Sequence, residues 1–293
     1  TTGYTTSGDN GGWGWKQNGV TGQTVSQSPA QLLNGLFNDG NGNQWALRAG
    51  PSRVNIKALG AVESTDATNV FKAAIASGFK YDVSGDYTIS SSLTATSKVN
   101  LISTRGVITV AASSSVNPLF HLKNAPKSRV KDLVIDGNQA NNTSLNIFFL
   151  GDDCKIVGNT ISNAGRYGIY GLDVSGVYVH KNTVINSQNI GIFIQAVTTN
   201  EKDNTVTGNT VDRSALATTL TEGGIKVRGD QTTYTQIRNK VTGNTVLLPV
   251  NASTTSAICI EVFGFGHKST VLGNITDGGY MGISIDESNS VNV

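Results

Sequence analysis

Short segments of alternating apolar and polar residues run along this chain, and one of them recurs six times. In each copy a β-branched residue is followed three positions later by an asparagine, and glycine precedes the asparagine in five copies. The copies are VIDGN, KIVGNT, YVHKNT, TVTGNT, KVTGNT and TVLGNI, with asparagines Asn138, Asn159, Asn182, Asn209, Asn244 and Asn274. These asparagines are 21, 23, 27, 35 and 30 residues apart. Self-similarity at such a period predicts a repeat architecture.

A second apolar column follows the asparagines after a loop. Its members are Ile147, Ile169, Ile192, Ile225, Ile258 and Ile283, and four of them follow a glycine. Two short strands per repeat predict an all-β protein, a right-handed parallel β-helix whose coils stack about 4.8 Å apart. We expect the asparagines to point inward and bond the backbone of the next coil. The missing Leu/Asn consensus excludes leucine-rich repeats, and most repeats are too short for a propeller blade.

Residues 62–78, VESTDATNVFKAAIASG, predict a short amphipathic helix that caps the first coil. Ser, Thr and Asp provide start signals, apolar residues follow at helical spacing, and Gly78 is a stop. The segment DYTIS, residues 86–90, then begins the strands. The last coil, GISIDESNSV, has no matching cap in the sequence. We therefore assign residues 51–293 to the β-helix and expect a longer protein, or another segment that covers this end.

Residues 1–50 differ in composition and are interpreted as a neck or connector segment. Trp13, Trp15 and Trp45 lie here among Gly, Asn and Thr. SPAQLLNGLF, residues 28–37, predicts a short helix with an N-cap Ser followed by Pro at the first helical position. This helix would pack against its copies in a trimer or against its own β-helix.

Composition excludes several classes of function. The net charge is only +2 and the 22 Lys and Arg residues form no cluster, which opposes a nucleic-acid partner. No apolar run is long enough for a membrane span. Cys154 and Cys259 lie 105 residues apart, which favours two thiols over a disulfide framework. With three scattered histidines we expect no metal and no cofactor.

Register also predicts which side chains point outward in the second strand of each repeat. One outward column is expected to contain Phe148, Tyr170, Phe193, Lys226, Cys259 and Ser284, and the other Leu150, Leu172, Gln195, Arg228, Glu261 and Asp286. Aromatic rings stack on sugar faces, and acids and bases act on hydroxyls and on the glycosidic oxygen. Lengthened loops at 213–224 and 248–257 would wall this face or form trimer contacts.

The catalytic hypothesis from the sequence rests on two carboxylates. Glu261 and Asp286 are expected one coil apart in the same column, a separation that suits glycoside hydrolysis. Arg228, one coil away, would keep one of them ionised while the other donates a proton. The alternative is that all three are solvated surface charges. The residues expected to bind substrate are Tyr170, Phe193, Gln195, Lys226, His180 and Phe263.

The segment VNIKALGAVESTDATNVFKAAIASG, followed by DYTIS and the Asn-Thr coils, resembles the start of the pectate-lyase-like β-helix of bacteriophage tailspikes. The usual Asp-rich turn is reduced here to Glu63 and Asp66, and Asp86 replaces the usual Gly. The resemblance covers residues 54–293. It implies a homotrimer in the virion tail, attached to the tail or baseplate through its N-terminus, that binds and usually cuts bacterial surface polysaccharide.

We therefore expect a depolymerase of a capsular or O-antigen polysaccharide, with hydrolysis favoured over elimination. Elimination would use Lys226, Arg228, Tyr170 and His180, but the signatures of polygalacturonases and classical pectate lyases are missing. A non-catalytic carbohydrate-binding or structural spike is the competing class. A β-helix adhesin or a secreted plant-polysaccharide enzyme is a third. A binder would retain polysaccharide without shortening it.

Overall fold

The computed structural model describes residues 36–38, 44–46, 54–78, 80–104, 106–112, 116–217, 222–229, 236–250, 257–263 and 268–286. Among these residues almost all regular structure is β-strand, arranged in three parallel sheets. Each full coil adds one strand to sheet 1, then to sheet 2, then to sheet 3, and each strand pairs in parallel with that of the next coil. The parallel β-helix predicted from the repeats is confirmed, but each full coil has three strands where the sequence predicted two, because the short sheet 2 strand directly follows the corner of the sheet 1 strand.

The strands of the described residues are short and in register. Sheet 1 contains Val54–Asn55, Lys80–Val83, Asn100–Ser103, Arg129–Lys131, Lys155–Val157, Tyr178–His180, Thr205–Thr207, Lys240–Thr242 and Thr270–Leu272. Sheet 2 contains Asp86–Ile89, Val107–Val110, Val134–Asp136, Thr160–Ser162, Thr183–Ile185, Thr210–Asp212, Thr245–Leu247 and Ile275–Asp277. Sheet 3 contains Leu93–Thr94, Phe120–His121, Phe148–Leu150, Tyr167–Leu172, Ile190–Gln195, Ile225–Arg228, Ile258–Phe263 and Met281–Asp286. A further parallel pair joins Glu201–Lys202 to Gln236–Ile237.

The core is a stack of identical or similar side chains, one from each coil. In sheet 1 the central residue of each strand points inward and is buried, as in Val130, Ile156, Val179, Val206, Val241 and Val271. Burying a side chain of this size stabilises the fold by about 1.5–3 kcal/mol. The alternation of β-branched and polar residues therefore encodes the interior of the solenoid.

An asparagine ladder runs along the corner between sheets 1 and 2. The Nδ2 of each asparagine donates to Oδ1 of the next, at 3.0 Å in all four steps. The ladder consists of Asn159, Asn182, Asn209, Asn244 and Asn274. Each of these Nδ2 atoms also donates to a backbone carbonyl of the preceding coil, and each Oδ1 from Asn182 onward accepts a backbone N–H. The inward asparagines predicted from the repeat are confirmed at these five positions.

The sixth asparagine, Asn138, was wrongly placed in the ladder. The strand Val134–Asp136 that precedes it belongs to sheet 2, so Asn138 lies one corner later in its coil. Leu133 occupies the ladder position instead, and its backbone N–H donates to Asn159 Oδ1 at 3.0 Å. A Gly-Asn pair after a β-branched strand fits both corners, so the motif alone does not distinguish them.

The predicted isoleucine column is correct for four members and wrong for two. In sheet 3, Phe148, Ile169, Ile192, Ile225, Ile260 and Ile283 lie over one another. Ile147 precedes this column by one residue and Ile258 by two. Phe148 and Cys259, expected to face solvent, are fully buried. Because strand periodicity is two, Ile258 and Ile260 satisfy the same pattern and the sequence does not choose between them.

The glycine that precedes several of these isoleucines has a packing reason. A Cβ at Gly168 would lie 2.6 Å from Val184 Cγ1, and one at Gly224 would lie 2.2 Å from Val246 Cγ1. Valines from sheet 2 fill the space that a side chain would need. The Gly-Ile pairs therefore mark where sheets 2 and 3 approach most closely.

The N-terminal capping helix is confirmed as Thr68–Ser77, after a 3-10 turn at Ile56–Leu59. Its Phe71, Ala74 and Ile75 are buried against the first coil. The helix ends at Gly78, whose φ of 71° is left-handed. The strand Asp86–Ile89 then follows, as the sequence predicted.

Part of the helix expected at residues 28–37 is contradicted. Leu36–Asn38 is a strand that pairs antiparallel with Gln44–Ala46, with Phe37 opposite Trp45. Residues 28–35 lie outside the described residues, and the assignment of residues 1–50 to a neck stays a prediction. Both cysteines are buried free thiols, as expected. Among the helices of the described chain, none has the length and apolar character of a membrane span.

Asn209→Ala tests whether the ladder holds the coils together. Asn209 is 1% exposed, and its Oδ1 accepts both the backbone N–H and Nδ2 of Asn182. Its loss leaves these donors unsatisfied, so we expect the free energy of unfolding in urea to fall by about 2–4 kcal/mol. Asn141→Ala, at an exposed turn, is the control. Equal unfolding midpoints for the two variants would contradict a stabilising ladder.

Candidate functional site

The strand register of sheet 3 defines two columns of positions on its outer face. The first column contains His121, Phe149, Tyr170, Phe193, Lys226, Glu261 and Ser284. The second column contains Leu172, Gln195, Arg228, Phe263 and Asp286. Parallel register sets neighbours within a column about 4.8 Å apart at the backbone. The first column thus changes from aromatic to charged along the axis.

The aromatic part of the first column is a continuous stack. Ring centroids are 5.2 Å apart for His121 and Phe149, 5.4 Å for Phe149 and Tyr170, and 5.5 Å for Tyr170 and Phe193. Tyr167 flanks the stack and contacts both Tyr170 and Phe193. His121, Phe149 and Tyr170 are partly exposed, whereas Phe193 is 5% exposed. The first three therefore offer ring surface to a ligand, and Phe193 supports them.

A charged cluster, defined as Glu222, Lys226 and Glu261, continues the first column. Lys226 Nζ lies 2.7 Å from Glu222 Oε2 and 2.8 Å from Glu261 Oε2. The exposed fractions of the side chains are 6% for Lys226, 11% for Glu261 and 33% for Glu222. Burying charges costs free energy that an ion pair only partly returns, so such a cluster on the outer face of a sheet contributes little net stability. A stability cost without an evident structural gain is typical of a functional site, so the cluster is a candidate for a functional role.

The second column lies beside the charged cluster and is more open. Arg228 Cζ lies 5.2 Å from the ring centroid of Phe263, a cation–π contact. Gln195, Arg228 and Phe263 are all partly exposed. Gln195 Oε1 is 3.5 Å from the Tyr170 hydroxyl, which links the two columns weakly. Amide, guanidinium and ring groups at this spacing can contact successive hydroxyls and faces of a polymer.

The predicted trio of Glu261, Asp286 and Arg228 does not share one column. Glu261 lies between Lys226 and Ser284 in the first column. Asp286 follows Phe263 in the second column, and Arg228 precedes Phe263. Glu261 and Asp286 are therefore diagonal neighbours on adjacent strands. The cause is the same as for the isoleucine column. Aligning Ile258, rather than Ile260, with Ile225 shifts every position of this strand by two residues.

The remaining predicted site residues divide between two faces. Tyr170, Phe193, Gln195, Lys226 and Phe263 all lie on the outer face of sheet 3. His180 lies on sheet 1, where its ring is 5.2 Å from that of Tyr178 and its Nδ1 is 3.1 Å from Thr207 O. It is not brought together with the others. The four residues proposed for elimination are therefore not assembled as a set.

Burial raises the pKa of Tyr170 to about 12, with Tyr167 adding to the shift. The phenol therefore stays protonated at neutral pH. It can donate a hydrogen bond or stack on a sugar, but it is not a general base in this state.

Sequence reasoning missed Glu222. It lies at the end of the lengthened loop 213–224, four residues before Lys226. The signal in the sequence is a glutamate three residues before a strand whose outward residues include Lys226. It was overlooked because Glu222 precedes the strand Ile225–Arg228 and so belongs to neither outward column.

Tyr170→Phe tests the environment of the stacked phenol. The folded protein should release the Tyr170 proton near pH 12, against an ordinary value of 10.0 that applies when unfolded. Because the folded pKa is higher, the stability from this buried phenol is complete below pH 10 and declines as pH rises from about 10 towards 12. Subtracting the alkaline absorbance titration of the variant from that of wild type isolates Tyr170. A difference step near pH 10 in the folded protein would contradict the burial; in urea that step is expected.

Comparison with solved structures supports the β-helix fold. Tailspike protein 2 of Escherichia coli O157:H7 bacteriophage CAB120 matches with a TM-score of 0.50 and 15% identity, over 88% of this chain and 36% of that chain. This chain thus spans little more than a third of the tailspike. The A-modules of the Azotobacter vinelandii mannuronan C-5 epimerases AlgE4 and AlgE6 give TM-scores of 0.42 and 0.40 at 16% and 12% identity. They match over 81% of this chain and over 73% and 98% of the modules, respectively. At these identities the likeness concerns fold, and the expected likeness to tailspike β-helices is confirmed at that level.

No curated protein matches this sequence. The sequence profile of the family described as periplasmic copper-binding protein (NosD) matches residues 60–246. That segment contains the capping helix Thr68–Ser77 and the coils that carry the aromatic stack and Lys226. It is more than half of the 293 residues. The chain therefore belongs to the NosD family.

Proposed function

We propose that this chain is a tailspike-like depolymerase that binds and cleaves a bacterial capsular or O-antigen polysaccharide on the outer face of sheet 3. The observation that carries the proposal is the charged cluster, in which Lys226 binds two carboxylates next to a column of partly exposed rings. The aromatic stack and the second column provide the surface along which a polymer lies. The charged cluster provides the reacting groups.

The separation of the two glutamates has an upper limit that matches retaining rather than inverting glycosidases. Since Lys226 Nζ is 2.7 Å from one carboxylate oxygen and 2.8 Å from the other, these oxygens are at most about 5.5 Å apart. Retaining glycosidases hold their carboxyl groups about 5–5.5 Å apart, with one as nucleophile and the other as acid and then base. Lys226 offsets the repulsion that would otherwise separate two carboxylates at this distance.

The two glutamates divide the roles of a retaining hydrolysis. One protonates the leaving glycosidic oxygen and later takes a proton from water, and the other attacks the anomeric carbon to form a covalent glycosyl intermediate. In this proposal Glu261 keeps the catalytic role predicted from the sequence, and Glu222 replaces Asp286 as the second carboxylate.

The other predicted residues are assigned to substrate contact. Tyr170 and Phe263 stack on sugar faces, and Gln195 and Arg228 bind hydroxyls or acidic substituents between them. Asp286 lies at the end of the second column and is proposed as a further polar contact. Elimination is disfavoured because His180, a candidate base, lies on sheet 1 and apart from Lys226 and Arg228.

The described residues do not fit the copper that the family description names. Copper is bound by cysteine, methionine and histidine, but these residues are not brought together. Cys154 and Cys259 are fully buried, His121 and His180 lie on different sheets, and Met281 lies six strands from His121 in sheet 3. Burial raises the pKa of both thiols, that of Cys259 to about 11, which disfavours the thiolate. In the described part of the chain, no three His, Cys, Asp or Glu side chains are grouped so as to hold a metal ion. No step of the proposed reaction uses copper.

The tailspike-like assignment includes three finer proposals: a homotrimer, attachment to a phage tail through residues 1–50, and a location in the virion tail. Their support is the motif at residues 54–90 and the β-helix fold shared with a tailspike. A monomeric mass in light scattering would contradict the trimer.

Glu222→Gln and Glu261→Gln test the proposed reaction on a panel of capsular and O-antigen polysaccharides. On a polymer that wild type shortens, each variant should lose at least about 100-fold in turnover, because each loses a reacting carboxylate. Glu63→Gln, a change of the same chemistry beside Lys57 near the N-terminal cap, is the matched control and should retain activity.

The products separate the classes of function. Hydrolysis creates new reducing ends without ultraviolet absorbance, whereas elimination creates an unsaturated, absorbing end. Retention of polysaccharide without shortening, seen by size exclusion, would indicate a binding spike. Unchanged turnover in both glutamate variants would overturn the assignment of this cluster.

A further inference from the structure

Arg213 is fully buried at the corner that follows the strand Thr210–Asp212. Its guanidinium donates to four backbone carbonyls. Nη1 lies 2.7 Å from both Glu222 O and Gly223 O, Nε lies 2.7 Å from Ser187 O, and Nη2 lies 2.8 Å from Gln188 O. All of these acceptors lie two or three residues before a sheet 3 strand, either Ile190–Gln195 or Ile225–Arg228. One side chain therefore connects the entries of two successive coils into sheet 3.

A buried arginine bound only to carbonyls is costly to maintain. Among the described residues no carboxylate lies within ion-pair distance of Arg213, and burial lowers its pKa to about 10. It still carries its charge at neutral pH. The equivalent corner positions of the adjacent coils are Asn186 and Leu248, as their backbone hydrogen bonds show. Arginine is thus specific to the coil that carries the lengthened loop and Lys226.

We infer that Arg213 is a positioning residue for the charged cluster: by binding the backbone of Glu222 and Gly223, it fixes the Glu222 carboxylate within reach of Lys226. This inference deepens the proposed function and rests on it only for its effect on turnover. The contact between Glu222 and Lys226 is a separate, structural claim.

The backbone around Glu222 is held from both sides. Arg213 binds its carbonyls within the coil, and the next coil packs directly against it. A Cβ at Gly223 would lie 1.8 Å from Ile258 O, and Gly224 N donates to the same carbonyl at 3.2 Å. The strand that bears Lys226 begins at Ile225, immediately afterwards. Little freedom remains in the backbone between Glu222 and Lys226 while Arg213 is in place.

The other pair of carbonyls extends the effect to the aromatic stack. Ser187 and Gln188 immediately precede the strand Ile190–Gln195, which carries Phe193 next to Lys226 in the first column. Arg213 therefore also fixes the strand entry on which the neighbouring ring depends. Lysine has one nitrogen and no planar fork, so it cannot bind both pairs of carbonyls.

The experiment measures how fast Lys226 reacts with a limiting amine-reactive acetylating reagent, by mass spectrometry of the full chain, with exposed Lys155 as internal reference. In Arg213→Met the Glu222 side chain is no longer held next to Lys226. Lys226 then loses one ion-pair partner and becomes more accessible to solvent. We expect its relative acetylation rate to rise about two- to fivefold. Glu222→Gln should give the same rise, and the double variant should show no further rise. Arg238→Met, which removes an exposed Arg–Asp pair in the turns that precede sheet 1 strands, is the control and should match wild type.

Additive effects of Arg213→Met and Glu222→Gln, or no effect of either on Lys226, would overturn the inference. If circular dichroism shows that Arg213→Met does not fold, Arg213→Lys, which keeps the charge, is measured instead. Its Lys226 acetylation rate should lie between those of wild type and Glu222→Gln, and a wild-type rate would also overturn the inference.

On a cleaved polysaccharide, Arg213 variants should alter kcat and its pH profile more than KM. If no polysaccharide is cleaved by wild type while the acetylation pattern holds, the proposed function fails and the positioning role stands.

Discussion

Parallel registration of one coil on the next is the constraint on which this structure depends. Each coil contacts only its neighbours, so register is maintained by groups that must be paired at every step. The asparagine ladder does this at the corner between sheets 1 and 2, because each amide satisfies donors and acceptors of two other coils. If one coil were shifted along its neighbour by a single residue, these buried groups would be unpaired and its inward residues would face outward.

The same register converts a repeated backbone into a varied surface. Interior columns vary little, since each position must fill a similar space, whereas outward columns are free to change from coil to coil. On sheet 3 the first column changes from rings to the charged cluster between Phe193 and Lys226. Two buried charges, Lys226 and Glu261, lie at this change, and Arg213 is buried at the corner that precedes the Lys226 strand. Glu201, which is also fully buried, lies outside sheet 3, where it accepts the backbone N–H of Val174.

The predictions failed where two positions satisfy one pattern. Asn138 follows a strand and a glycine as the ladder asparagines do, yet its strand belongs to sheet 2. Ile258 and Ile260 both fit an alternating strand, and choosing the first moved Glu261 into the wrong column. Glu222 was missed because its partner Lys226 is recognised only when the path of the loop is known. Each error concerns register or a loop, which local periodicity does not fix.

The sequence by itself determined the architecture, because the spacing of asparagines and β-branched residues admits a stacked solenoid and little else. It also determined the capping helix and that sheet 3 carries both the rings and Lys226, since alternation assigns inward and outward positions within a strand. Only the tertiary structure decided which residues of different coils are neighbours. That choice is made by steric fit between sheets, by loop lengths and by the pairing of buried polar groups. It placed Glu261 opposite Lys226 and brought Glu222 to the same nitrogen.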